Sequence, residues 1–335
     1  MKTKIILLLL AFALCSSICS AAANEPQPVP PPLSLIDQQN TWLSFMGSIA
    51  AYWDGTGTDA GSSSYLFAKM LNQGPLQLGN ETVNFANSVQ MVLPATSKWK
   101  LDKGYLKAVN PAAVLAIDNT SKNHIYLIAF RGTDYTKQTP ANPVLTDALA
   151  IPVKFMNSGT SVHAGFYYYA EAVEADPATK AFIVQFINDT NPGKRLIVGG
   201  TSLGAAAAPL FGAMLHENRA TYVASKTLDM NQVYVNSTAV PAMGYPDFAE
   251  YYYTKVVNCL NINRQDDYVP VVPEMAGYVH YGVTIYAQSQ LANYHDADMW
   301  MEHLNNPVYV PYLETLTPAL SPNWPMPSKL SRSVK

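Results

Sequence analysis

Residues 195–204 read Arg195-Leu196-Ile197-Val198-Gly199-Gly200-Thr201-Ser202-Leu203-Gly204, and an alanine-rich run follows from Ala205 to His216. The apolar triplet Leu196-Ile197-Val198 predicts a short buried strand, and Leu203 to His216 predicts a helix. Between them stands Gly-x-Ser-x-Gly, with Ser202 at the turn. A serine on so sharp a strand-to-helix turn sits in a strained backbone region, with its hydroxyl lifted clear of the sheet. Side chains two residues away on either side would clash, which accounts for Gly200 and Gly204. The turn also places a helix N-terminus beneath the hydroxyl, where free N–H groups and the helix dipole favour negative charge. The pattern is that of an activated serine nucleophile.

Such a serine needs a base to take its proton and an acid to orient the base. With this turn the chain order is serine, acid, histidine. Three histidines follow at a useful distance: His280, His295 and His303. His280 falls in an apolar stretch that reads as a strand, so it is expected to be packed. His295 lies past the last predicted strand, where a base can reach a serine, and His303 is second to it. For the acid, Asp266 and Asp267 follow the predicted strand Lys255 to Ile262. The carboxyl ends of strands are where ligand and catalytic groups gather in open α/β sheets. An anion formed at the reacting carbon needs two N–H donors. Leu203, directly after the nucleophile, supplies one. Thr133, closing the segment Phe130-Arg131-Gly132-Thr133 after the strand Ile125 to Phe130, is the candidate for the second.

Outward from this turn the chain alternates. Residues 36–53 carry apolar positions at helical spacing. Val114 to Ile117 and Ile125 to Phe130 flank a polar turn and read as a hairpin. Val162 to Phe186 reads as helical, with Pro177 breaking its middle. Gln232 to Val235, Lys255 to Ile262 and Tyr278 to Tyr286 read as strands, and Leu291 to Leu304 as a helix. Strands interleaved with helices predict an α/β fold with a mostly parallel central sheet and helices on both faces.

The start of the chain is of another kind. A basic opening, Met1 to Lys4, precedes an apolar run from Ile5 to Cys15 and the small residues Ala21-Ala22-Ala23. That run has signal-peptide length and is too short to span a bilayer. Residues 1–23 are therefore expected to be a signal peptide, which implies a secreted protein (extracellular, or periplasmic or at the outer surface if bacterial). Five prolines between residues 26 and 33 make 24–34 an extended linker. From residue 35 to 335 the composition is even, which predicts one domain. With 49% hydrophobic and 13% charged residues, the chain can bury a large core. The 21 Lys plus Arg against 24 Asp plus Glu leave a net charge of -3, which argues against a nucleic-acid partner. After cleavage only Cys259 remains, so no disulfide framework is expected, and Cys259 reads as an inert core thiol. Sequons stand at Asn80, Asn119, Asn188 and Asn236. No Cys/His/Asp set has metal-ligand spacing, so neither metal nor cofactor is expected. The triplets Tyr167 to Tyr169 and Tyr251 to Tyr253 are expected to pack with their hydroxyls at the surface.

Taken in order, these segments resemble the class 3 lipases, the fungal-lipase-like branch of the α/β hydrolases, from about residue 110 to 305. Phe130-Arg131-Gly132-Thr133 is similar to the family's oxyanion segment. Val162-His163-Ala164-Gly165-Phe166 is similar to the block before the helix that precedes the elbow. Pro241, Gly244 and Phe248-Ala249 fit the block after the next strand, and Gly277 to Gly282 fits a later one. Asp267-Tyr268-Val269-Pro270 resembles the family's D-x-V-P, which selects Asp267 over Asp266. The resemblance implies an α/β-hydrolase fold, a Ser202–Asp267–His295 triad, structural roles for His163 and His280, and an oxyanion hole from Thr133 and Leu203. It also implies a lipid or other ester as substrate, with transient contact to a lipid surface. No feature signals an oligomeric state. The chain departs from the family at Thr201, where histidine is usual, and at Ala205, where a second glycine is usual. The expected lid segment, 134–161, is polar and proline-containing in its first half and lacks the tryptophan of an interfacial lid helix. The nearest alternatives are a phospholipase A1 or a soluble-ester esterase, and outside the enzymes an inactive lipid-binding homologue of the scaffold.

Overall fold

The computed structural model describes residues 34–52, 76–78, 81–83, 85, 89–92, 111–133, 151–264 and 267–287. The expected signal peptide, the linker up to residue 33, the lid segment 134–150, Asp266, the helix at 291–304, and His295 and His303 lie outside them. A seven-stranded sheet forms the centre. Its strands, in chain order, are β3 (Val89–Val92), β4 (Ala113–Asp118), β5 (Ile125–Phe130), β8 (Arg195–Thr201), β9 (Val233–Thr238), β10 (Cys259–Arg264) and β11 (Val283–Ala287). Across the sheet they run β11-β10-β9-β8-β5-β4-β3. From β5 through β8, β9 and β10 to β11 every pairing is parallel, and β3 and β4 add an antiparallel edge. The expected hairpin is β4–β5, in register from Ala113 opposite Phe130 to Asp118 opposite Ile125. Its turn closes on Asp118, whose Oδ1 accepts from the N–H and hydroxyl of Thr120 at 2.9 and 2.8 Å. Small two-stranded ribbons stand apart: β1 (Leu76–Leu78) with β2 (Glu81–Val83), and β6 (Pro152–Lys154) with β7 (Ser161–His163).

Alternation along β5 and β8 builds two layers of core. Tyr126, Ile128, Phe130, Leu196 and Val198 face one side, against α2 (Ala164–Ala175), α3 (Pro177–Asn188) and α4 (Leu203–Glu217). Ile125, Leu127, Ala129 and Ile197 face the other, against α1 (Leu35–Ala50). Each fully buried large apolar side chain contributes about 1.5–3 kcal/mol relative to exposure. Helices therefore cover both faces, as the alternating pattern predicts. α1 is more deeply enclosed than its apolar spacing implies, since Gln39 to Ala51 are all buried. Its polar residues meet the sheet directly. Gln39 bonds Arg195, and Asn236 Nδ2 donates to Thr41 Oγ1 at 3.3 Å. A Cβ on Gly199 would fall 2.2 Å from Ser44 Oγ, so only glycine in β8 lets α1 come this close.

Three expectations change in detail. The long helix read over Val162 to Phe186 begins as strand β7, then divides at Asp176. That residue is extended, ends α2, and caps α3 by accepting from Ala178 N–H at 2.8 Å, with Pro177 as the first residue of α3. Proline has no N–H to give and disfavours a helical predecessor, so one helix becomes two. The strand read over Tyr278 to Tyr286 starts only at Val283. Gly282 lies at φ 84°, and this left-handed turn separates β11 from a segment bridged through Val279 to Gly244. The sequon at Asn236 is 1% exposed within β9 and is no glycan acceptor in the folded chain. The later part of the expected lid, 152–161, falls in the β6–β7 ribbon, which ends at His163.

Cys259 opens β10 and is buried, and burial pushes its thiol up to about 12. Only the thiolate is a good nucleophile, and a group so raised stays neutral at pH 8. Iodoacetamide at pH 8, read by peptide mapping, should leave Cys259 unlabelled in the native protein and alkylate it in denaturant. Rapid native labelling would contradict the burial.

Candidate active site

Ser202 joins β8 to α4 at φ 55°, ψ −125°, a conformation costly for any residue with a side chain. The neighbours hold it there. A Cβ on Gly200 would lie 2.5 Å from the carbonyl carbon of Gly204, and one on Gly204 would lie 2.5 and 2.6 Å from the carbonyl oxygens of Phe130 and Arg131. Both glycines of the motif are thus required by close approach, and the second brings the first turn of α4 onto the end of β5. The Ser202 N–H donates to Thr238 O, the last residue of β9, at 3.2 Å. Leu203 is the first residue of α4, where backbone N–H groups lack intrahelical partners.

The segment 131–133, expected to supply an oxyanion donor, runs alongside. Arg131 N–H donates to Ala112 O at 2.9 Å, so the chain leaves β5 still tied to the start of β4. The Tyr169 hydroxyl donates toward both Ala112 O (2.9 Å) and Arg131 O (2.8 Å) and clamps the segment from the α2 side. This corrects the expectation of surface hydroxyls for that triplet: Tyr169 is buried, and its phenol is spent on backbone. Gly132 lies where a Cβ would meet Thr201 O at 3.0 Å and the Tyr52 hydroxyl closer still. Thr133 is 4% exposed, and its Oγ1 has no hydrogen-bond partner among the described residues. Ser202, Leu203 and the 131–133 segment therefore converge at the carboxyl ends of β5 and β8.

Asp267 follows the carboxyl end of β10, at the same end of the sheet and two strands from Ser202. It is 2% exposed, and its Oδ1 accepts from Val269 N–H at 3.0 Å. Hydrogen bonds link the strand ends between: Ala239 N–H to Ile262 O at 2.9 Å, Val240 N–H to Asn263 Oδ1 at 2.6 Å, and Ala242 N–H to Pro270 O at 3.1 Å. His295 lies outside the described residues, so its approach to Asp267 is not described. His280 sits in the segment before β11 rather than within a strand. It is packed nonetheless, with Nε2 at 2.6 Å from Val240 O and Nδ1 at 3.4 Å from Glu274. His163 is fully buried and stacked on Phe166, with ring centroids 4.0 Å apart. Among the described residues no cluster of His, Cys, Asp and Glu could hold a metal ion. Sequence reasoning missed Tyr169, because nothing in a tyrosine triplet says which hydroxyl turns inward.

The model of the class 3 lipase family matches residues 127–277. Among solved structures the chain is similar to the Rhizomucor miehei triacylglyceride lipase, at 19% identity and TM-score 0.51, covering 77% of this chain and 82% of that one. It is also similar to the lipase of Rhizopus microsporus var. chinensis, at 19% identity and TM-score 0.52, covering 81% and 83%. A third is a triacylglycerol lipase whose catalytic centre is a serine-protease triad, at 18% identity and TM-score 0.51, covering 77% and 82%. At these identities the solved structures speak for the fold. No curated protein sequence matches the chain. Residues 127–277 thus match the class 3 lipase family, and the fold of the chain is that of an α/β hydrolase. By class it is a carboxylic ester hydrolase.

Tyr169→Phe should deprive the buried Arg131 O of the phenol O–H and Ala112 N–H of its phenol acceptor, and cost about 1–3 kcal/mol. Urea unfolding with an unchanged m-value checks this, and an unchanged midpoint would contradict the clamp.

Proposed function

We propose that the protein is a secreted lipase acting on acylglycerols or related lipid esters through an acyl-enzyme on Ser202. His295 takes the serine proton and later returns it to the leaving alcohol. Asp267 orients the imidazole and stabilises its charged form, and water then releases the acid. The N–H groups of Thr133 and Leu203 bind the tetrahedral oxyanion. The observation that carries this reading is Ser202 itself, held at positive φ between two required glycines at the head of a helix. The buried Thr133 hydroxyl, which has no hydrogen-bond partner among the described residues, supports it as a further donor, since an unpaired buried polar group is costly. The triad named for one structural neighbour supports the roles given to Asp267 and His295. The lipid substrate and contact with a lipid surface rest on the family match, and export rests on the expected signal peptide, cleaved near Ala22 to Asn24.

Hydrolysis of p-nitrophenyl esters from acetate to palmitate, by wild type and Ser202→Ala, tests the reading. The wild type should turn over, with a preference for the longer acyl chains, and the variant should lose at least ~10³-fold. A preference confined to the shortest esters would favour a soluble-ester esterase. Inactivity of folded wild type on every ester would leave the inactive-scaffold reading. Thr133→Val should lower kcat by about 10²-fold if the hydroxyl serves the oxyanion, and an unchanged kcat would remove it from that role.

A further inference from the structure

Ser48 lies on the last turn of α1, outside the residues matched by the family model, and is fully buried. Its hydroxyl makes two bonds to the sheet. It donates to Phe130 O at 2.6 Å and accepts from Thr201 N–H at 3.1 Å. Phe130 is the last residue of β5, directly before Arg131-Gly132-Thr133. Thr201 is the last residue of β8, directly before Ser202. The paired register of these strands ends at Phe130 opposite Gly200. Beyond it β8 turns into α4 while the chain after β5 stays tied to Ala112, so the two chains part where the reacting groups must stay in register. One hydroxyl spans that parting. Tyr169 grips the same segment from the opposite face, through Arg131 O.

We infer that Ser48 is a positioning residue, which sets the separation of the nucleophile from the oxyanion donors by bridging the carboxyl ends of β5 and β8. The inference rests on the reading of Ser202 as nucleophile. Simple docking of α1 does not require this hydroxyl. Ser44, one turn earlier on the same helix and seated against Gly199, is just as buried, and its Oγ has no partner among the described residues. A misplacement of about 1 Å between reacting groups can cost 10²-fold in rate, so the bridge acts on turnover rather than on substrate binding.

Steady-state kinetics on p-nitrophenyl butyrate test this with the full chain as wild type, Ser48→Ala, Ser44→Ala and Ser202→Ala, well below each unfolding midpoint. Ser48→Ala should lower kcat by about 10–100-fold and leave KM within about 3-fold. Ser44→Ala, whatever its effect on stability, should keep kcat within about 2-fold of wild type. The inference is overturned if Ser48→Ala keeps wild-type kcat, or if Ser44→Ala loses as much as Ser48→Ala. Should Ser48→Ala fail to fold, Ser48→Cys takes its place. Its longer, weaker bonds should lower kcat in the same sense, and an unchanged kcat would again overturn the inference. Activity retained by Ser202→Ala would instead mean that the nucleophile reading had failed, and this inference would fall with it.

Discussion

The rest of the site depends on the contact between Gly204 and the end of β5. The first turn of α4 presses on the carbonyls of Phe130 and Arg131 so closely that no Cβ fits between them. That closeness brings the N–H groups at the head of α4 beside segment 131–133, and it fixes the angle at which β8 must turn. Ser202 takes up the turn at positive φ. Such a conformation costs on the order of 1–3 kcal/mol and persists only when the surroundings over-determine it. Here the surroundings are the parallel ladder of β5, β8 and β9, the Ser202 N–H bond to Thr238 O, and the two buried helical layers.

Around this contact backbone and hydroxyl groups supply much of the support. Tyr169 holds Arg131 O from one face of the sheet, and Ser48 holds Phe130 O from the other. Asn263 closes both backbone groups of Val240 beyond β9, with His280 on the same carbonyl. Buried polar groups of this kind are costly when half satisfied and rigid when bonded. They suit a site that must hold donors fixed while charge develops on a substrate oxygen.

Much of this was legible in the sequence where the causes are local. Gly200 and Gly204 flank Ser202 because of contacts within one turn, so the motif could be read without tertiary information. The β4–β5 hairpin announced itself through Asp118 and the polar residues after it, and the alternation of strands and helices gave the parallel sheet. What was hidden depends on distant partners. Gln39, Thr41, Ser44 and Ser48 make α1 look half exposed, yet they meet Arg195, Asn236, Gly199 and Thr201, more than 140 positions along the chain. Apolar spacing cannot show a polar helix face that is buried by pairing. The start of β11 was misread because Gly282 looks neutral in an apolar run, while its left-handed turn ends one segment and begins another.

The central claim is that Ser202 is the nucleophile, poised beside preformed oxyanion donors. Treatment with a p-nitrophenyl alkylphosphonate, followed by intact-mass and peptide mapping, tests it most directly, because phosphonylation needs the activated hydroxyl and forms a stable analogue of the tetrahedral intermediate. The account predicts one phosphonyl group per chain, carried on the tryptic peptide that holds Ser202 between Arg195 and Arg219. No adduct on folded protein, or an adduct on any other residue, would contradict it.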